Sequence, residues 1–273
     1  RQYTVMCIVV GALSKCCFLW PEKRFLYATS PPYTGERWFP MTTNDVLHAM
    51  ELAELAYLED QPMLSDSVMT VIDDDQTGVQ CYIRKTEDLL DITFRGSNSA
   101  KDWRHNLMFW KKCIPYGNTC SKIRVHTGFL NAYKSKQVRN RLLNMVTPEI
   151  RRIHICGHSY GAALSVLCAV DLQYNFPDRD IEVIVFGCPR IGNRAFQKSY
   201  NSRVFKTLRV ENGNDIVTKV PFALWGYRHV GAKLHVGAPR LPCLVSFEQH
   251  RQQRYYSSLF LRLLPPGVSP EAW

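Results

Sequence analysis

The sequence predicts one α/β domain built on a mostly parallel central sheet flanked by helices. Two observations carry that expectation. Between residues 151 and 210, short β-rich runs alternate with helix-like stretches, and such alternation closes into a parallel sheet with helices on its faces. In ICGHSYGAALS (155–165), a serine between two glycines stands where one apolar run ends and another begins. The 273 residues are 46% hydrophobic, enough for one large core or two small ones.

Residues 1–41 read as an N-terminal arm. Within it VMCIVVGAL (5–13) is apolar but too short to span a bilayer. It fits a signal or membrane-anchor remnant, or a buried strand or capping arm. SPPYTGERWFP (30–40) reads as a linker by its prolines. TTNDVLHAMELAELAYLED (42–60) follows, with Val46, Leu47, Met50, Ala53, Leu55 and Tyr57 at helical spacing and Thr43 or Asn44 as the cap.

SVMTVI (67–72), VQCYIRK (79–85) and LLDITFR (89–95) are strand-like, with DDDQTG as a turn between the first two. TGFLNAYKSKQVRNRLLNMV (127–146) reads as one amphipathic helix. The alternating part has strands in RRIHIC, IEVIVFG and VFKTLRV and helices in SYGAALSVLCAVDLQYN and NRAFQKSYNS. EQHRQQRYYSSLFLRLL (248–264) is the last helix, and residues 265–273 form a Pro-rich tail.

Formal net charge is +10, so the surface favours anionic partners. No zinc-finger, Walker or RNA-binding pattern accompanies the scattered basic pairs, so a nucleic-acid partner is not expected. There is no C-x-x-C or H-E-x-x-H spacing, and no metal or other cofactor is expected. Cys156, Cys168 and Cys188 sit in apolar runs and read as buried thiols. Cys113 and Cys120 flank a hairpin-like loop and would bridge in an oxidising compartment. The compartment stays open between intracellular or membrane-surface and secreted.

Ser159 is the candidate nucleophile. A tight strand-to-helix turn exposes its hydroxyl, small neighbours keep the turn from colliding with itself, and the helix N-terminus favours a developing negative oxygen. A serine hydroxyl needs a histidine base, and that base needs a carboxylate to fix its tautomer. Asp215, on the Asn/Gly-rich turn of VENGNDIVTKVP after a strand, falls at the same sheet edge as Ser159. Asp171, Asp178 and Asp180 fall at the opposite edge. His250 is the favoured base because a broken loop precedes it; His229 and His235 share a strand-like segment, with His229 the rival. His158 is read as structural, pointing away from the serine.

These residues sit in a series of motifs that resembles the class 3 lipases, the family of fungal triacylglycerol lipases, over roughly residues 43–263. The motifs are ELAELAY, ITFRGS, KDWRHNL, VHTGFLNAY, ICGHSYGAALS, VFGCPRIGN, NDIVTKVP and YRHVGAKLHV, in the family's order. The resemblance implies an α/β-hydrolase fold over residues 42–264 and hydrolysis of lipid carboxylic esters, of triacylglycerol lipase or phospholipase A1 type. It implies no cofactor and a transient partner in a membrane or lipid-droplet surface.

The same resemblance supports Ser159, Asp215 and His250 as a triad and gives Ser97 an oxyanion role beside the N–H of Tyr160. Tyr160 stands where leucine is usual and Ala162 where glycine is usual. NSAKDWRHNL (98–107) then reads as a short helical lid with Ala100, Trp103 and Leu107 on its apolar side, or as a surface helix whose Trp103 never leaves the core. The alternative to an enzyme is a non-catalytic structural or lipid-binding protein that retains the hydrolase fold.

Overall fold

The computed structural model describes residues 24–28, 38–61, 67–97, 111–114, 120–239, 241 and 244–263. The N-terminal residues 1–23, the expected lid with Ala100, Trp103 and Leu107, and the tail from 264 onward lie outside them.

The chain begins with a two-stranded antiparallel ladder, β1 (Arg24–Ala28) and β2 (Trp38–Thr42). Where the prolines of 30–40 read as a linker, Pro40 instead lies in β2, within a ladder of only two strands where a missing N–H is tolerated. Helix α1 (Thr43–Leu55) follows at once. Its cap is Thr42, one residue before the expected Thr43 or Asn44. The Thr42 hydroxyl accepts the Asp45 N–H at 3.2 Å, and the Asp45 carboxylate accepts the Thr42 N–H at 2.7 Å. That reciprocal pair satisfies two N–H groups, which a cap at Thr43 or Asn44 would leave unmatched. Val46, Leu47, Met50, Ala53 and Leu55 are buried as their spacing predicts, whereas Tyr57 lies beyond the helix end.

Strands β3 (Val68–Asp74), β4 (Val79–Lys85) and β5 (Leu89–Phe94) form an antiparallel meander. Then come β6 (Lys111–Cys113) and β7 (Arg124–His126), a separate antiparallel pair. The Cys113 side chain lies outside the described residues, and with it the expected bridge to Cys120. The single helix expected over 127–146 is broken into α2 (Thr127–Tyr133), a π-helical stretch at Lys136–Asn140 and α3 (Arg141–Met145). The cause is Ser135. Its extended backbone ends the first helix, and its hydroxyl accepts the Gln137 N–H to start the next.

The rest alternates as expected: β8 (Arg152–His158), α4 (Tyr160–Asn175), β9 (Asp180–Phe186), α5 (Arg194–Arg203), β10 (Thr207–Asn212) and β11 (Ala232–Val236). The last helix is shorter than read. A 3-10 turn, Glu248–His250, is separated by extended Arg251 from α6 (Gln252–Leu263).

The main sheet has the order β11-β10-β9-β8-β5-β4-β3. Its β5–β8, β8–β9, β9–β10 and β10–β11 pairings are parallel. One apolar core joins it to α4 and α2, and a second packs α1 and α6 against the opposite face. The thiols of Cys156, Cys168 and Cys188 are buried in these layers. Because β8 is central, the residues just past its carboxyl end are flanked by the ends of β5 and β9.

Candidate active site

Ser159 links β8 to α4 with φ 59° and ψ −121°, the one positive φ at a non-glycine among the described residues. Such a conformation stores strain of order 1–3 kcal/mol and persists only where the surroundings enforce it. They do so here. The Ser159 N–H donates to the Phe186 carbonyl of β9 at 2.9 Å. A Cβ at position 157 would lie 2.8 Å from the Gly161 backbone and the Ser165 hydroxyl; one at 161 would lie 2.2 Å from the Phe94 carbonyl of β5. One glycine therefore lets the turn close on its own helix, and the other lets that helix approach the neighbouring strand.

Asp215 reaches the same edge from the far side of β9. Beyond Asn212, where β10 ends, the chain turns through Gly213, whose φ is 47°. The Asp215 carboxylate is 1% exposed and fully engaged. Its Oδ1 accepts the Val217 N–H at 2.8 Å, and its Oδ2 accepts the Tyr255 hydroxyl at 2.5 Å and His250 Nδ1–H at 2.9 Å. His250 Nε2 then lies 2.7 Å from Ser159 Oγ, close enough to accept its proton. The structure thus brings the three residues into one hydrogen-bonded chain.

The segment bearing His250 is fastened to the segment bearing Asp215. Ser246 N–H donates to Asn214 O, and Ile216 N–H donates back to Ser246 O. Gln249 Oε1 accepts the Asn214 N–H at 2.5 Å, while Asn212 Nδ2 donates to the Gln249 carbonyl at 2.9 Å. Gly187, at the end of β9 with φ 57°, supplies the space: a Cβ there would lie 2.9 Å from the His250 ring and 3.1 Å from Asp215 Oδ2.

The rival residues are engaged elsewhere. His229 Nε2 donates to Thr218 O at 2.7 Å, and His235 Nε2 to Ala238 O at 3.0 Å. Asp171, at the far end of α4, is held by Tyr133 and Arg139. Asp180 pairs with Lys206, and Asp178 with Arg179.

His158 makes no bond to the serine, as expected, yet it touches the site. Its Nε2 donates to the His250 carbonyl at 2.8 Å, and its Nδ1 accepts the Tyr57 hydroxyl at 3.0 Å. The His158 and His250 rings stack with centroids 4.6 Å apart. Burial, with His250 beside it, holds His158 well below the usual histidine range, so it stays neutral and keeps these roles. Sequence reading missed this contact because it joins residues 101 and 92 positions apart.

Ser97 follows β5, whose Phe94 pairs with Gly157 of β8, so the two strand ends are neighbours. A Cβ at Gly96 would lie 2.8 Å from the His158 carbonyl, which presses this loop against the serine turn. Tyr160 opens α4, so its N–H has no acceptor one helical turn back. Its ring is buried and tilts against Phe129, with centroids 5.8 Å apart. Among the described residues, no three His, Cys, Asp or Glu side chains are grouped to hold a metal ion.

Residues 92–225 match the family described as lipase (class 3). Phospholipase A(1) DAD1 of Arabidopsis thaliana, chloroplastic, is 36% identical over 149 residues, which is 48% of this chain and 33% of that protein. The lipase of Rhizomucor miehei is 32% identical over 154 residues, 54% of this chain and 41% of its own length. The chain therefore spans less than half the length of these two curated relatives. A solved structure of the Rhizomucor miehei triacylglyceride lipase superposes with a TM-score of 0.63 at 25% identity, covering 70% of this chain and 79% of that one.

Proposed function

The chain belongs to the class 3 lipase family and has its α/β-hydrolase fold, and from that premise we propose that it is a serine hydrolase cleaving the carboxylic ester bonds of lipids. The observation that carries this reading is the continuous Ser159–His250–Asp215 hydrogen-bond chain at the carboxyl edge of the sheet. Relatives named as lipase and as phospholipase A1 share one chemical step, attack on an ester carbonyl.

In the proposed cycle, His250 Nε2 takes the proton of Ser159 as Oγ attacks the ester carbonyl. The N–H groups of Ser97 and Tyr160 receive the oxyanion. His250 gives the proton to the departing alcohol. Water, with its proton passed to His250, then attacks the acyl-enzyme, and the fatty acid leaves as His250 returns that proton to Ser159 Oγ. Asp215 holds Nδ1–H, fixes the tautomer and stabilises the imidazolium.

Residues 42–264 form the catalytic unit in this reading. A lipid surface is the transient partner. A scaffold that merely retained the fold would have no need to keep a hydroxyl, an imidazole and a carboxylate in register.

Hydrolysis of a short p-nitrophenyl ester tests the reading. The parent chain turns it over, and Ser159→Ala lowers kcat by roughly 10⁴-fold or more while circular dichroism stays unchanged. Undiminished turnover by the variant would mean another nucleophile.

A further inference from the structure

We propose that the Tyr160 side chain makes the site selective for esters whose acyl chain carries a neutral acceptor oxygen, such as a keto or ether oxygen. The inference rests on the ester-hydrolase reading and names the substrate class of that same site.

The triad fixes which side of Ser159 the acyl chain takes. In the proposed cycle the carbonyl carbon bonded to Ser159 Oγ has three other substituents. The oxyanion goes to the N–H groups of Ser97 and Tyr160, and the alcohol oxygen lies toward His250, which protonates it. The acyl chain takes the direction that is left. His250 stands on the α1/α6 side of the sheet: its ring stacks on His158, which meets Tyr255 of α6 edge to face at 5.6 Å. The Tyr160 and Phe129 rings belong to the core on the opposite side, with α2 and α4. The acyl chain thus runs out past Tyr160.

The wall it meets there holds two hydrogen-bonding groups without partners. Tyr160 directly follows the nucleophile and is only 7% exposed. Its hydroxyl makes no hydrogen bond among the described residues, and burial alone pushes the phenol up to about 12. Tyr133, Tyr200 and Tyr255, by contrast, bond their hydroxyls to Asp171, Thr207 and Asp215. The Phe129 ring contacts both Tyr160 and His126, with centroids 5.8 and 4.2 Å away. His126 Nδ1 accepts the Gly128 and Phe129 N–H groups, so the proton of the ring is on Nε2. That N–H is fully buried and has no partner among the described residues.

Buried polar groups are nearly always paired, so two unpaired ones in the wall beside a nucleophile point to a partner that the substrate brings. Both groups carry a proton to donate, and the match is an acceptor. A carboxylate or phosphate would give up its hydration for an apolar wall whose imidazole is kept neutral by burial. A keto or ether oxygen is far easier to desolvate and accepts the phenol hydrogen. A plain alkyl chain would strip water from the hydroxyl and return nothing.

The experiment compares kcat/KM for p-nitrophenyl octanoate and its 4-, 5-, 6- and 7-oxo derivatives. The parent is expected to favour at least one keto ester over octanoate by about tenfold, and Tyr160→Phe and Tyr160→Leu to bring every ratio to within about twofold of one. A parent that prefers none of the keto esters, or variants that keep the preference, overturn the proposal. A second measurement does not depend on turnover: calorimetric binding of methyl octanoate and of the four methyl oxo-octanoates to Ser159→Ala. At least one keto ester is expected to bind about tenfold more tightly than methyl octanoate, and to lose that advantage when Tyr160→Phe is added, with circular dichroism unchanged. Equal binding of all five esters to Ser159→Ala overturns the proposal. If the parent hydrolyses no ester, the ester-hydrolase reading fails, and the calorimetry still decides the role of Tyr160.

Discussion

In the proposed mechanism Ser159 is reactive by position, and the residues around it are selected by space and hydrogen bonding more than by charge. Tyr255 illustrates the second. Its hydroxyl shares Asp215 Oδ2 with His250, inside a region closed to water. Tyr255→Phe removes one bond to a buried carboxylate, which is worth about 1.5–3 kcal/mol. The expected outcome is a comparable loss of unfolding free energy in urea and a fall in kcat of roughly tenfold. No change in either would mean that the carboxylate is held by its other partners alone. Gly187 illustrates the first. Gly187→Ala places a methyl group against the His250 ring at a positive φ. We expect kcat to fall by roughly 10²-fold with KM little changed, because the base and not the substrate is displaced. His158 acts through His250: His158→Phe, which keeps a ring but cannot bond the His250 carbonyl, is expected to lower kcat about tenfold. Its KM on a soluble ester should hold. A rise in KM at constant kcat would show that His158 shapes the pocket instead.

At the level of elements, the strand-to-helix turn was legible because it combines an apolar run, two glycines and an apolar helix within eleven residues, 155–165. The strand VQCYIRK was readable to the residue for the same reason, since a short β-rich run after a turn decides it locally. The meeting of Ser159, His250 and Asp215 in one hydrogen-bonded chain was legible from chain order and strand ends. What escaped were features that depend on distant partners or on single polar side chains. The break at Ser135 comes from one hydroxyl that caps the following turn, which apolar periodicity does not register. The extended Arg251 that separates the His250 turn from α6 is likewise silent in the pattern. Tyr57 looked like the last apolar residue of a helix; its hydroxyl bond to His158 needs the sheet to exist first. Elements of this kind are testable singly. Ser135→Ala removes the acceptor for the Gln137 N–H and is expected to cost about 1 kcal/mol, measured by urea unfolding. An unchanged midpoint would mean that water satisfies that N–H equally well.

Across the whole molecule, folding encloses histidines that cannot keep a proton. His126 caps α2 through Nδ1, which accepts the Gly128 and Phe129 N–H groups, and burial lowers it to about 4. As pH falls from 6.5, the unfolded chain takes up a proton that the folded chain refuses, so stability is lost down to about pH 4. The slope is at most about 1.4 kcal/mol per pH unit. His126→Asn keeps a capping acceptor and removes the proton. The slope of unfolding free energy between pH 4 and 6.5 is therefore expected to decrease by up to about 1.4 kcal/mol per unit, and an unchanged slope would place the acid sensitivity elsewhere. The same global fold that buries these groups delivers three remote segments to one sheet edge. Treatment of the intact chain with a fluorophosphonate, followed by peptide mass spectrometry, tests that delivery most directly. The account predicts one adduct, on Ser159, formed at least roughly 10³-fold more slowly in His250→Ala. An adduct on another residue, or an unmodified Ser159 at saturating reagent, would contradict it.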